Sequence, residues 1–132
     1  TGHKLTALQR IRLTDDGTWH DGKFMLGKPE RGAWAPRFEG NVLAIAEGME
    51  DAASYTLIRG TPCWAALGNE RLALIEVPER VGTLYLAEDN DGPGRCASMA
   101  AVGSHNMPER QIIRDSPPSH YHDWAEARSN IR

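Results

Sequence analysis

The sequence predicts an α/β domain in which a parallel sheet is flanked by helices and preceded by an N-terminal β arm or meander. Three observations carry that prediction. The runs Val42 to Ala46 and Thr83 to Ala87 are short and largely apolar, as strands covered on both faces of a sheet must be. Each is followed by a stretch that reads as a helix, and strands alternating with helices imply parallel neighbours. Each run also ends in acid and glycine, Glu47-Gly48 in one case and Asp89-Asn90-Asp91-Gly92 in the other.

Taken in order, Leu5 to Leu13 alternates well enough for a strand, and Asp15-Asp16-Gly17 supplies a turn. Lys23 to Leu26 and Ala33 to Phe38, separated by Gly and Pro, continue it as a small antiparallel meander or an extended arm. After the strand at 42–46, apolar positions at Met49, Ala52, Ala53 and Leu57 have the spacing of one helical face, closed by Arg59-Gly60. A short strand is expected from Pro62 to Leu67 and a short helical segment around Glu70 to Ile75. The strand at 83–87 leads through the acidic turn to a small-residue helix from about Arg95 to Val102, then a strand at Gln111 to Arg114. The organisation expected is an N-terminal β extension at 1–40, an α/β core at 41–115 and a polar C-terminal segment with a short helix at 116–132.

A chain of 132 residues, 40% of them hydrophobic, can bury one core but is short for two. It has no apolar stretch near the roughly 20 residues that span a bilayer and no secretory leader, so a soluble, cytoplasmic protein without a membrane partner is expected. Beginning at Thr1 and ending in a polar run, it is also compatible with a piece cut from a longer protein. Cys63 and Cys96 are far apart among apolar or small residues, which suits buried thiols better than a disulfide or zinc site.

The formal net charge of -3 is unevenly distributed. Residues 1–40 carry seven Lys or Arg against five Asp or Glu, residues 41–91 three against nine, and residues 92–132 five against four. Carboxylates gathered in one region repel each other and are offset by a cation, and a basic arm beside them suits a polyanion. In open parallel sheets, ligands sit beyond the C-terminal strand ends, where Glu47, Asp89 and Asp91 are expected to converge. An Asp-Asn-Asp-Gly string alone is more often a turn than a metal site, and Asp51 alone is equally a helix-dipole partner. Mg²⁺ or Mn²⁺ is the cation that a few carboxylates, waters and phosphate oxygens would hold.

The segments AEGMEDAASY, PCWAALG and LYLAEDNDGPGRCA, in that order and spacing, resemble the Toprim domains of plasmid and phage primase-like proteins, and more distantly those of bacterial replicative primases. The N-terminal IRL, GKFMLG and GAW elements resemble the segment that precedes Toprim in those proteins. The resemblance implies a Rossmann-like Toprim fold, with Glu47 matching the family's glutamate, Asp51 an acid of the primase branch, and Asp89 and Asp91 its D-x-D pair. It implies Mg²⁺ held by these carboxylates, with Glu47 also in acid/base chemistry on a phosphodiester. Gly94 matches the glycine that opens the following helix, while Pro93 stands where alanine is common. His122-Asp123-Trp124-Ala125-Glu126 resembles a further acidic motif, keeping its first acid as Asp123 but losing its Asn and carrying Glu126 for Asp.

Lys23, Lys28, Arg31, Arg37 and Arg95 are candidates for phosphate contacts, Arg95 foremost because it adjoins a helix N-terminus. Of the tryptophans, Trp64 reads as core; Trp19, Trp34 and Trp124 offer stacking surfaces, Trp34 in the arm being the best placed. His120 and His122 read as exposed. The function expected is that of a primase-type nucleotidyltransferase module acting on single-stranded DNA or RNA and nucleotides, with helicase or zinc-binding domains as candidate neighbours in the intact protein. A Toprim nuclease and a non-catalytic nucleic-acid-binding domain are the alternatives; no separate catalytic-tyrosine domain is evident for topoisomerase chemistry.

Overall fold

A computed structural model describes residues 5, 7–13, 15–17 and 20–130. Strands β1 (Ala7–Leu13) and β2 (His20–Gly27) form an antiparallel hairpin. An extended arm then leads to β3 (Val42–Ala46), α1 (Met49–Arg59), β4 (Cys63–Ala65), a 3₁₀ turn at Asn69–Arg71, β5 (Thr83–Ala87), α2 (Gly92–His105), β6 (Gln111–Asp115) and α3 (Trp124–Ser129). The four core strands are all parallel, in the order β4-β3-β5-β6. The chain therefore leaves β3 toward one edge and returns to β5 on its other side, which places the topological switch between β3 and β5.

The alternation of side chains along each strand divides the core in two. One face carries Leu43, Ile45, Leu84 and Leu86, packed with Leu72, Ile75, Val81 and Ala101 of α2. The other carries Ala44, Ala46, Ala65 and Ala87, small enough for Tyr55 of α1 and Trp124 of α3 to lie against the sheet. Their rings meet edge-on at 4.8 Å. Among the described residues, no helix is long and apolar enough to cross a membrane.

The structure corrects several local expectations. Of the two forms expected for Ala33 to Phe38 it takes the extended arm and not the meander strand; it touches the sheet through one antiparallel bridge between Trp34 and Ala65, and Pro36, which lacks an N–H, follows two residues on. The arm is instead anchored by Arg71, whose guanidinium donates to the carbonyls of Ala66 (2.8 Å), Glu30 (3.0 Å) and Gly32. The helical segment expected at 70–75 shrinks to the 3₁₀ turn. The buried face of α1 is Asp51, Ala52, Ser54 and Tyr55, leaving Ala53 and Leu57 exposed, because α3 covers a polar-aromatic face rather than an aliphatic one. Cys63 is buried but Cys96 is exposed, since α2 turns Gly94, Ser98 and Ala101 inward. Trp64 is core as expected, whereas Trp124 is 1% exposed and offers no stacking surface; Trp19 lies outside the described residues.

Candidate metal centre

Glu47 follows the last residue of β3, Asp51 lies in the first turn of α1, and Asp89 stands two residues beyond β5. The switch point thus gathers acids from two neighbouring strand ends and one helix. Carboxylate oxygens of Glu47, Asp51 and Asp89 all lie within 4.8 Å of one another. Asp51 and Asp89 are buried and Glu47 is half-buried.

Burial and mutual repulsion act together on this trio. Burial first, then the charges of Asp89 and Asp123, push Asp51 up to about 8, although it accepts a hydrogen bond from the Ala125 N–H at 3.0 Å. Burial and Glu47 push Asp89 up to about 7. Glu47 is also raised by burial, with Lys23 of β2 opposing. Asp89 Oδ1 is buried with no hydrogen-bond partner among the described residues. Buried polar atoms are ordinarily satisfied, so an orphaned carboxylate oxygen within a three-acid cluster fits a cation. The donor set is wholly oxygen, which suits Mg²⁺ or Mn²⁺ better than a soft metal.

Asp91 and Asp123 are placed differently. Asp91 caps α2, its Oδ1 accepting from the Gly94 N–H at 2.5 Å. Asp123 caps α3 in the same way through the Glu126 N–H, at 2.8 Å. His122 lies between them, with Nε2 2.9 Å from Asp91 Oδ2 and Nδ1 3.4 Å from Asp123 Oδ2. Its pKa is raised, by the Asp123 hydrogen bond first and by the charges of Asp91 and Asp89. Both acids border the trio without belonging to it.

The acidic turn is held from behind. The Asn90 side chain donates to the carbonyls of Pro117 (2.9 Å), Pro118 (3.2 Å) and Tyr121 (2.8 Å), and its N–H donates to His122. Glu88 faces away from the cluster; burial would raise it, but the Arg114 fork at 2.9 and 3.2 Å and the Ser116 hydroxyl hold it low. His122 is exposed, as expected, but its bridge between Asp91 and Asp123 and the anchoring contacts of Asn90 are not legible in the sequence. The Asp123-x-x-Glu126 spacing, a capping signature, was the signal that α3 begins beside the acids.

Gly94 is the tightest point of the turn. A Cβ built there would lie 2.8 Å from both Asp89 Cβ and Asp91 Oδ1, and 3.0 Å from the Asp89 carbonyl oxygen. Asp89 Cβ and the Asp89 carbonyl move only with the backbone, and Asp91 Oδ1 is the side-chain oxygen that caps α2, so an added methyl must displace the turn or the cap. Gly94→Ala is expected to lower stability by about 1–3 kcal/mol, as overpacking does. It should also weaken Mn²⁺ binding by roughly tenfold, the scale of a lost supporting contact. Thermal melts and calorimetry check both effects; a variant equal to wild type in both would show that the turn is not constrained here.

The cationic candidates are all peripheral. Lys28, Arg31, Arg37 and Arg95 are exposed, and Arg95 lies one turn into α2 rather than at its start. Lys23 comes closest to the acids, pairing with Glu50 at 3.0 Å.

A family model described as a Toprim domain matches residues 42–129, from β3 through α3. The matched region runs past residue 115 and includes the segment that carries Asn90's partners, Asp123 and Trp124. No curated protein and no solved structure matches the chain.

Proposed function

Because the chain belongs to the Toprim domain family, whose members carry out metal-dependent chemistry on nucleic acids, we propose that it is the catalytic module of a DNA primase, joining nucleotides by phosphoryl transfer. The observation that carries the reading is the trio Glu47, Asp51 and Asp89 with its orphaned Asp89 oxygen. In this reading those three residues hold Mg²⁺ or Mn²⁺, and Asp91 and Asp123 stand beside them. When bound, such an ion supplies charge neutralisation at the phosphate oxygens.

The chain's own residues contribute the rest. Glu47 is the least buried of the trio and its pKa is raised, which suits it to take or give a proton at the reacting oxygen. Lys23, whose charge acts on Glu47, and Arg95, in the helix that follows the acidic turn, are the proposed cations for the substrate's phosphates. Single-stranded DNA or RNA and nucleotides are the proposed partners, with template handling left to neighbouring helicase or zinc-binding domains and the cytoplasm as the setting. A Toprim nuclease would use the same acids.

One observation favours a second reading, a non-catalytic nucleic-acid-binding domain. Asp91 and Asp123 are both engaged as helix caps and bridged by His122, which among the described residues leaves the trio to take a cation. The readings separate experimentally. Titration of Mg²⁺ and Mn²⁺ by calorimetry should show binding to wild type and none to Asp89→Ala/Asp91→Ala. Primer synthesis from nucleoside triphosphates on a single-stranded template would then support the primase, oligonucleotide cleavage the nuclease. Equal metal binding by both proteins, or by neither even with DNA present, would overturn the metal-centre assignment.

A further inference from the structure

The two edges of the parallel sheet differ. At β4 the edge is closed: Trp34 exchanges backbone hydrogen bonds with Ala65 at 2.8 and 2.9 Å, and Pro36, two residues on, has no N–H to offer a further strand. At β6 the edge is open. The Gln111 N–H donates to Gly82 and the Asp115 carbonyl accepts from Glu88, so Gln111, Ile113 and Asp115 turn their backbone groups toward β5. By the alternation of a strand, the N–H and C=O of Ile112 and Arg114 point away from β5, and they meet no partner among the described residues.

Nothing in β6 guards that edge. Exposed edges are ordinarily blunted by lysine, proline or a bulge, and β6 has none of these. Its two charged side chains are already matched within the chain, Arg114 by Glu88 at 2.9 and 3.2 Å and Asp115 by Arg59 at 3.1 and 3.2 Å. A strand laid against β6 therefore meets no unpaired charge.

Helix α2 adds apolar surface on the same side. Its Ser104 hydroxyl donates to the Ala73 carbonyl, just after the 3₁₀ turn. Helical spacing puts Met99 and Val102 on the opposite side of α2, toward the β6 edge. Met99 is 63% exposed, and Val102 and Ile112 are half-buried at the margin of the core.

We infer that β6 pairs with β6 of a second copy of this chain, antiparallel about a two-fold axis at Ile113. In that register Ile112 of one copy and Arg114 of the other exchange their outward backbone bonds. Ile113 faces Ile113 as a non-hydrogen-bonded pair, Gln111 lies opposite Asp115, and no charge faces its like. Strands lie about 4.8 Å apart and α2 covers the β5–β6 pair, so the two α2 axes come about 10 Å apart, the distance at which helices pack. Met99 and Val102 fill the space between them.

Because the β4 edge is closed, the contact is isologous and stops at two copies instead of running on as a filament. The two copies share one sheet, with four strands from each. Their C-terminal strand ends point in opposite directions, so the two acidic trios lie on opposite rims and neither copy enters the other's site. Pairing through β6 therefore does not depend on the metal centre.

Sedimentation equilibrium of the full chain across the micromolar range tests this. Wild type should reach twice the monomer's 14.6 kDa. Ile113→Lys, which sets two ammonium groups face to face, should weaken the dimer about a hundredfold, the scale of a like-charge juxtaposition. Met99→Glu should weaken it about tenfold, the scale of a lost apolar contact, and its exposed position keeps the fold if Ile113→Lys does not. Cross-linking reads the register. In a Cys96→Ser background, Ile113→Cys should give a disulfide-linked dimer on mild oxidation, because opposed Cα atoms of a non-hydrogen-bonded pair lie about 4.5 Å apart, within disulfide reach. Gln111→Cys, which lies opposite Asp115, should give none. Wild type that stays monomeric throughout the range would overturn the inference and leave the edge to a strand of another protein or a neighbouring domain. So would wild-type affinity in a folded Ile113→Lys or in Met99→Glu, or failure of Ile113→Cys to cross-link.

Discussion

Asp89→Asn is expected to make the metal-free protein more stable at alkaline pH and, at the same time, to abolish its stabilisation by Mn²⁺. Both results come from the same buried charge. In the folded protein Asp51 and Asp89 are pushed up to about 8 and about 7, from an ordinary 3.8. A raised folded-state value means that folding takes up protons between the two values. The stabilising contribution is therefore full in acid below the ordinary value and is lost as pH rises through about 7 and then about 8. Metal-free wild type should melt several degrees lower at about pH 9 than at about pH 6.

On the proposed metal reading, divalent metal should reverse this loss, since it would bind the ionised cluster. At a free concentration one hundred times its dissociation constant it adds about 2.7 kcal/mol. For a domain of this size that is on the order of 10 °C. Asparagine at position 89 removes one charge and relieves Asp51, for which Asp89 is the leading charge after burial. The melting temperature of Asp89→Asn should therefore depend less on pH and not respond to Mn²⁺. A variant with the wild-type pH slope and the wild-type metal shift would show that these carboxylates are not the coupled group.

The acids at the strand ends were legible because two independent signals coincided: short apolar runs that had to be buried strands, and acid followed by glycine at the end of each. Glu47 and Asp89 lie at adjacent strands across the switch point, as that pattern implied. What remained hidden were contacts set by distant parts of the chain. The apolar periodicity of α1 pointed to Ala53 and Leu57 as buried, yet the helix turns Asp51 and Tyr55 inward, because the partner for that face is Trp124, 69 positions after Tyr55. Periodicity reports how apolar residues are spaced. It does not report that a buried acid will be matched by the N–H of Ala125. Asp91 likewise reads as one half of an acidic pair, whereas the folded turn uses it to cap α2 and to face His122.

The polar composition of 116–132 conceals how much this segment contributes, and Trp124→Ala measures it. The indole is 1% exposed, edge-on to Tyr55, and the Arg59 guanidinium stacks over it at 5.0 Å. Arg59 in turn grips Asp115 at 3.1 and 3.2 Å, where Tyr55 also donates at 2.7 Å. Truncation leaves a cavity between α1, α3 and the alanine face of the sheet, and such large-to-small changes at buried tryptophan cost about 3–5 kcal/mol. Because the total stability of a domain is of order 5–15 kcal/mol, much of it is at stake. The loss should extend to the metal centre, since α3 positions the Ala125 N–H on Asp51 and places Asp123 beside the trio. Chemical denaturation together with Mn²⁺ calorimetry separates the two effects. A large fall in stability with unchanged metal affinity in the remaining folded protein would mean that α3 is a brace for the fold alone. Parallel losses would make the C-terminal helix part of the site.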